Sequence, residues 1–356
     1  MSERFQYQAI AKELRDRILR GDVPAGGRLE PERELSGRYG VHRHTVRQAL
    51  ATLEQEGLIS TELRKGTVVL PLGRRLDGSI FLVNLEVSSG PNGSALFESI
   101  VRVAEQAGAR IARLSTEPLP GSSLNRIPSP SEIRDDAAGI VLWHHPPTDT
   151  ERIRVLNEAV PVVLVDHRVS GVSVDCVRFD DVTGGRMVTS HLIGLGHRQI
   201  AFLTDEVFAD SVQSRWHGYV LAHEDANLTR DGRLSILFQE MDPDLLTCTM
   251  RHLIENPETR PTAVVCSNDL VAFSLLRFLN AEGLRVPDDM AVTGYGNSMP
   301  EYGSAISLTT VDQPFDRAGL EAGRLLVERT HQTRHERLAS PRDICLPVSL
   351  VLRRST

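Results

Sequence analysis

From residue 80 to residue 293, short apolar runs alternate with segments of helix length. The runs fall at 80–83, 140–143, 162–165, 200–203, 235–238, 263–266 and 290–293, and the helical stretches at 95–106, 151–158, 182–195, 211–226, 245–255 and 270–282. A strand that is apolar throughout has no face to give to water. It must be covered on both sides, and helices between successive strands supply the cover, which predicts parallel sheets. About a dozen strands in roughly 280 residues overfill one open sheet, so the stretch 79–356 is expected to form two α/β lobes. The Pro- and Ser-rich stretch 117–131 reads as a long surface loop.

The first seventy residues have a different texture. A helix is predicted over 7–20, with Ile10, Leu14 and Ile18 at i+4 spacing. A second follows Leu29-Glu30-Pro31, where Pro suits the first turn and Glu30, Glu32 and Glu34 favour the positive helix end, and it ends at Gly40. The third spans 40–53. Its Val46, Ala49, Leu50 and Leu53 form one buried stripe, while Arg43, His44, Arg47 and Gln48 occupy the opposite side. Residues 58–61 and 66–70 read as strands around a basic turn at 62–65. Three helices and a hairpin make a winged helix-turn-helix, and a short helix fronted by Arg, His and Gln suits the DNA major groove. Residues 71–78, punctuated by Pro and Gly, read as a linker.

Charge agrees with this division. The net charge is -7, yet residues 1–75 hold fourteen Lys and Arg against ten Asp and Glu. A basic head on an acidic body fits a head that approaches phosphate. No apolar N-terminal stretch reads as a signal peptide and no run is long enough to span a membrane, so a cytoplasmic location and no membrane partner are expected. Cys176, Cys248, Cys266 and Cys345 are widely spaced and are expected to be buried reduced thiols. No phosphate-binding loop, nucleophile elbow or zinc-protease motif is present; no cofactor, no metal and no catalytic residue are predicted. His144-His145 and Asp166-His167 lack ligand spacing and read as loops after strands.

The head resembles the GntR family of bacterial transcription regulators. The resemblance runs through Ile18-Leu19-Arg20-Gly21, Leu29-x-x-Glu32-Arg33-Glu34-Leu35, Tyr39-Gly40-Val41-x-Arg43-x-Thr45-Val46-Arg47-x-Ala49-Leu50, Leu53-x-x-Glu56-Gly57-Leu58-Ile59 and Gly66-Thr67. It departs at Glu30-Pro31 and at His42. The resemblance implies that Arg33, Arg43, His44, Thr45 and Arg47 face DNA, with Lys65 and Gly66 at the wing tip. The alternative for Arg33 is an ion pair with a nearby Glu.

The body resembles the sensor domain of LacI/GalR regulators, a periplasmic-binding-protein-like fold. The matching stretches include Asp180-Asp181-x-x-Gly184-Gly185, Arg215-x-x-Gly218-Tyr219, Ser267-Asn268-Asp269, Leu308-Thr309-Thr310-Val311-Asp312-Gln313 and the closing Leu352-Arg353-Arg354-Ser355-Thr356. A GntR head on such a body is the combination of arabinose-responsive repressors. The resemblance implies a small effector between the lobes, touched by Asp166, Arg215 and Asn268, with Glu86, Trp143, Asp269, Asn297 and Gln313 near it. Asp269 could equally cap its helix, and Trp143 could equally be core. Carboxylate, amide and guanidinium groups beside an aromatic face suit a polyhydroxylated, sugar-like ligand. Gly296-Asn297 stands where the family commonly carries two Asp. The expected organisation is therefore a winged helix-turn-helix at 1–70, a linker at 71–78 and an effector-binding and dimerisation domain at 79–356. The expected partners are a double-stranded DNA operator, the effector and a second copy of the chain. The alternatives are a solute-binding protein or an enzyme on a two-lobed scaffold.

Overall fold

The computed structural model describes residues 3–19, 22–23, 26–55, 58–62, 66–69, 76, 79–84, 90–114, 126–143, 149–169, 171–204, 209–237, 243–256, 260–298 and 307–356. The head is α1 (Glu3–Leu19), α2 (Glu32–Tyr39), α3 (Arg43–Gln55), β1 (Ile59–Glu62) and β2 (Gly66–Val69). The i+4 residues of α1, Leu35 of α2 and the apolar stripe of α3 meet in one core with Leu58, Ile59 and Val69. Gly40 takes a left-handed φ of 62° and its N–H returns to Ser36 O, which stops α2. Pro31 sits at the N-cap of α2 without a side-chain cap, so its carbonyl, not a hydroxyl, opens the helix. β1 and β2 pair antiparallel from Ile59 against Val69 to Glu62 against Gly66, and Arg28 bridges Val68 as a third, short edge.

The rest of the chain continues as β3 (Ile80–Asn84), α4 (Gly90–Gln106), β4 (Arg110–Arg113), β5 (Ala137–Leu142), α5 (Thr150–Ala159), β6 (Val162–Val165), β7 (Asp175–Phe179), α6 (Asp181–Gly194) and β8 (Ile200–Thr204). Then come α7 (Asp210–Asp225), β9 (Ser235–Leu237), α8 (Pro243–Glu255), β10 (Ala263–Cys266), α9 (Asp269–Ala281), β11 (Ala291–Tyr295), β12 (Thr309–Asp312), α10 (Phe315–Arg329), α11 (Arg334–Ala339), β13 (Asp343–Leu346) and β14 (Ser349–Val351). Two six-stranded sheets result, in the orders β13-β7-β6-β5-β3-β4 and β14-β12-β11-β10-β8-β9. Every pairing in them is parallel except β12 with β14.

The chain passes between the lobes three times: from β7 to α6, from β12 to α10, and from β13 to β14. Three connections therefore join the two lobes. In the first lobe a buried ion pair fixes α10 to β7. Arg329 donates from Nε and Nη2 to the two oxygens of Asp175 at 2.7 Å each, and Arg342 N donates to the same carboxylate.

Between residues 80 and 293 two strands had no apolar run to announce them. β4 is a half-exposed edge with Arg at each end, and β7 carries Asp175 and Arg178, whose charges are taken up by Arg329 and Asp343. The expected surface loop 117–131 lies outside the described residues as far as 125; Ile127 is fully buried in the first lobe's core, while Ser131 at its end is exposed. Of the four cysteines expected to be buried thiols, Cys176 and Cys266 are buried, whereas Cys248 and Cys345 are exposed. Of the predicted linker only Leu76 is described, and its N–H donates to Ala107 O. Among the described residues no helix is long and apolar enough to cross a membrane.

Candidate functional site

In the head, α3 presents Arg43, His44, Arg47 and Gln48 outward, and Arg33 is exposed on α2. These are the polar positions left once the apolar stripe of α3 has been buried. Arg47 Nε donates to both oxygens of Glu32, at 3.0 and 2.9 Å, so α2 holds the reach of this guanidinium. Glu30 similarly gathers Arg17 and Arg38. Among the described residues Arg33 has no acidic partner; the pair foreseen for it is made by Arg47. Thr45 departs from the expectation that it faces DNA. It is 3% exposed, because it lies on the inner side of the first turn of α3. Gly66 begins β2 with φ of 82°, while Lys65 lies outside the described residues.

In the body, the carboxyl end of β6 in the first lobe comes close to the groups at the carboxyl ends of β10 and β11 in the second, the place where open α/β sheets hold ligands. Asp166 follows β6 in the first lobe, with φ of 77°, a left-handed conformation that is costly for a residue with a Cβ and tends to mark functional sites. Arg215 projects from α7 in the second lobe. Its Nε donates to Asp181 Oδ1 at 2.9 Å, its Nη1 donates to Ser267 O at 2.8 Å, and it lies 4.0 Å from the Tyr295 ring centroid. Its Nη2 stands 3.8 Å from Asp166 Oδ1, which is buried and, among the described residues, accepts no hydrogen bond. Ser267 Oγ and Gln313 Nε2 are likewise buried and, among the described residues, have no hydrogen-bond partner, while the buried Tyr295 hydroxyl lies beside Asp181.

Two carboxylates thus share one guanidinium away from water. Burial pushes the Asp181 carboxyl up to about 6, Asp166 adds to the shift and Arg215 opposes it. Burial works against charge on Arg215 too, but Asp181, Tyr295 and Asp166 outweigh it and hold the guanidinium charged.

The glycine motifs explain why Arg215 sits where it does. A Cβ on Gly185 would strike the backbone carbonyl of Arg215, one on Gly218 the carbonyl of Val182, and one on Gly184 the Tyr295 hydroxyl. α6 and α7 therefore cross at backbone contact, which sets the guanidinium over Asp181 and Tyr295.

The other predicted contacts sort differently. Asn268 is the N-cap of α9, its Oδ1 accepting from Val271 N at 2.8 Å. Asp269, foreseen as the alternative cap, is instead buried and ties the segment after β11 and strand β12 to the start of α9, accepting from Ser298 N at 2.6 Å and from Thr310 Oγ1 at 2.7 Å. Asn297 has both ends of its amide held, donating to Asp312 at 2.8 Å and accepting from Arg353 at 2.5 Å. Trp143 is buried against Phe315, ring centroids 5.3 Å apart, so its environment is that of core. Glu86 and the His144-His145 pair lie outside the described residues. Asn92, in the first turn of α4, was not foreseen; its Nδ2 donates to Gly296 O at 2.8 Å.

Residues 6–69 match the family described as bacterial regulatory proteins, gntR family, and residues 189–356 match the periplasmic binding protein-like domain. An arabinose metabolism transcriptional repressor of Geobacillus stearothermophilus is 29% identical over 372 aligned residues, covering 99% of this chain and 97% of that one. The chain is a DNA-binding transcription regulator. A second arabinose metabolism transcriptional repressor, from Halalkalibacterium halodurans, is 27% identical to the regulator over 99% of its length and 96% of the relative's. The structure of the regulator also superposes on that of a transcriptional regulator CelR–cellobiose complex, with a TM-score of 0.65 and 24% identity over 92% of this chain and 100% of that one.

These relatives are regulators, not enzymes, which agrees with the wiring of the cleft. Ser211, His167 and Asp166 have the composition of a nucleophilic triad. Yet Ser211 Oγ at 3.1 Å and Asp166 Oδ2 at 3.5 Å both approach the same imidazole nitrogen, Nδ1. A general base needs one ring nitrogen for the nucleophile and the other for its carboxylate.

Proposed function

We propose that the regulator is a cytoplasmic homodimeric repressor that releases its operator when a sugar-like effector enters the cleft. Arg33, Arg43, His44 and Arg47 contact the operator, with Lys65 and Gly66 at the minor groove. Paired heads read paired half-sites, in keeping with two-fold symmetry. Arabinose is the first effector to test, because both full-length relatives are arabinose metabolism repressors.

The observation that carries this reading is the 3.8 Å gap between Arg215 Nη2 and Asp166 Oδ1, with the carboxylate oxygen buried and unbonded. The two groups come from different lobes. A ligand hydroxyl can accept from the guanidinium and donate to the carboxylate, and so gains its contacts only when the lobes are together. That differential contact is what an effector needs to shift a two-state equilibrium. Gln313, with its buried unbonded amide nitrogen, supplies a further donor. Calorimetric titration of the parent chain and of Asp166→Asn with arabinose and a panel of sugars and sugar acids tests it. Binding by the parent and loss in the variant support the reading; equal binding by both contradicts it.

A further inference from the structure

Among the described residues, two hydrogen bonds join the lobes without using the Asp166–Arg215 gap. Near Asp166, Ser211 Oγ of α7 lies 3.1 Å from His167 Nδ1, and both residues are 3% exposed. At the end of β11, the Asn92 amide reaches from α4 of the first lobe to the Gly296 carbonyl of the second, at 2.8 Å. Outside them, Arg168 reaches Asp210 of α7 at 3.5 Å while Asp343 of its own lobe holds it at the same distance. Gly296 has φ of 114°, a conformation closed to most side chains, and this turns its carbonyl toward α4. A Cβ there would lie at ordinary contact distance, 3.5 Å from Asn92 Nδ2 and 3.7 Å from Gln313 Oε1, so it is the backbone conformation and not crowding that calls for glycine.

We propose that Asn92–Gly296 and Ser211–His167 are clasps that hold the lobes together before effector arrives and so set how much effector is required. The proposal rests on the reading of the cleft as the effector site. Opening the lobes exchanges each bond for water, and the net worth of one such bond corresponds to about 2- to 10-fold in an equilibrium. An effector that binds only closed lobes has its apparent affinity reduced by the fraction of chains that are closed. The clasps share no partner, so their effects multiply when both are broken. Neither Asn92 nor Ser211 is among the proposed effector contacts, so weaker binding in these variants reports on lobe closure.

The test uses the full chain with Cys248 and Cys345 replaced by serine and spin labels at V155C on α5 and N280C on α9. Interlobe distances are recorded without ligand, and arabinose affinity is measured by calorimetry. Asn92→Asp keeps the size and places an acceptor against the Gly296 carbonyl; Ser211→Ala removes the other clasp. The expected result is a longer mean distance in each variant, arabinose affinity lower by about 2- to 10-fold, and undiminished operator affinity without arabinose. His167→Asn, which keeps a polar atom near the Nδ1 position, is expected to stay closer to the parent than His167→Ala. Unchanged distance distributions in Asn92→Asp and Ser211→Ala chains that melt at the parent's temperature would overturn the proposal. If the parent fails to bind arabinose, the sugar assignment falls while the distances still decide the clasps.

Discussion

Asp166 and Arg215 face each other from different lobes, with Oδ1 and Nη2 3.8 Å apart. That is near enough for attraction and too far for a direct hydrogen bond. Arg215 is anchored within its own lobe by Asp181 and Ser267, and Asp166 by its left-handed backbone and the neighbouring His167. Each partner is held in place, which is the preorganisation a ligand hydroxyl requires.

Arg215→Ala is expected to abolish effector binding and to lower stability. The change leaves Asp181 buried without its cation, and breaking a buried pair costs about 3–5 kcal/mol. Calorimetry with arabinose and thermal melting check both effects, and operator affinity without effector should persist. A variant with the parent's melting temperature would contradict the view of Arg215 as the hub of this cluster.

Gly218→Ala is expected to lose about 1–3 kcal/mol, the usual range for overpacking, because the added methyl meets the Val182 carbonyl. The effector response should weaken with it, since α7 carries Arg215. Urea unfolding and effector titration read the two effects separately.

Asp181 gives a pH signature. Its folded-state value is raised to about 6 from an ordinary value of 3.8, so the folded chain holds this proton more tightly than the unfolded chain does. The stability it contributes is full below about pH 4 and is lost as pH rises through 6. The melting temperature of the parent relative to Asp181→Asn should therefore fall between pH 4 and pH 6.5 and then level off. A difference that grows over that range would contradict the assignment.

In the head, Arg43→Ala and Arg47→Ala are each expected to weaken operator binding about tenfold or more while leaving the melting temperature within a degree or two, since exposed ion pairs such as Arg47–Glu32 contribute little to stability. A fluorescence-anisotropy salt titration checks this. A lost phosphate contact flattens the slope by about one; a lost base contact lowers affinity and leaves the slope in place.

Much of this architecture was legible beforehand. The apolar runs at 162–165 and 263–266 coincide with β6 and β10, because strands covered on both faces have nothing polar to blur them. The glycine motifs were visible as spacing, although their reason, two helices at backbone contact, was not. β7 was hidden because Asp175 and Arg178 interrupt its run and find their partners more than 150 residues away. Asn268 and Asp269 show the limit within a motif: adjacent polar residues at a strand end gave no sign of which would cap the helix and which would brace a distant loop. Asn92 had no signal at all, since its partner Gly296 lies 204 positions along the chain and contributes only a carbonyl.

The central claim is that one chain grips duplex DNA at its head and lets go when its cleft is filled. Anisotropy of the labelled upstream DNA of its own gene, at low salt and in excess competitor DNA, measures this directly with and without arabinose and the wider sugar panel. The account predicts specific binding that weakens at least tenfold when one of these compounds saturates the cleft. Binding no tighter than to the competitor, or specific binding that no compound in the panel alters, would contradict it.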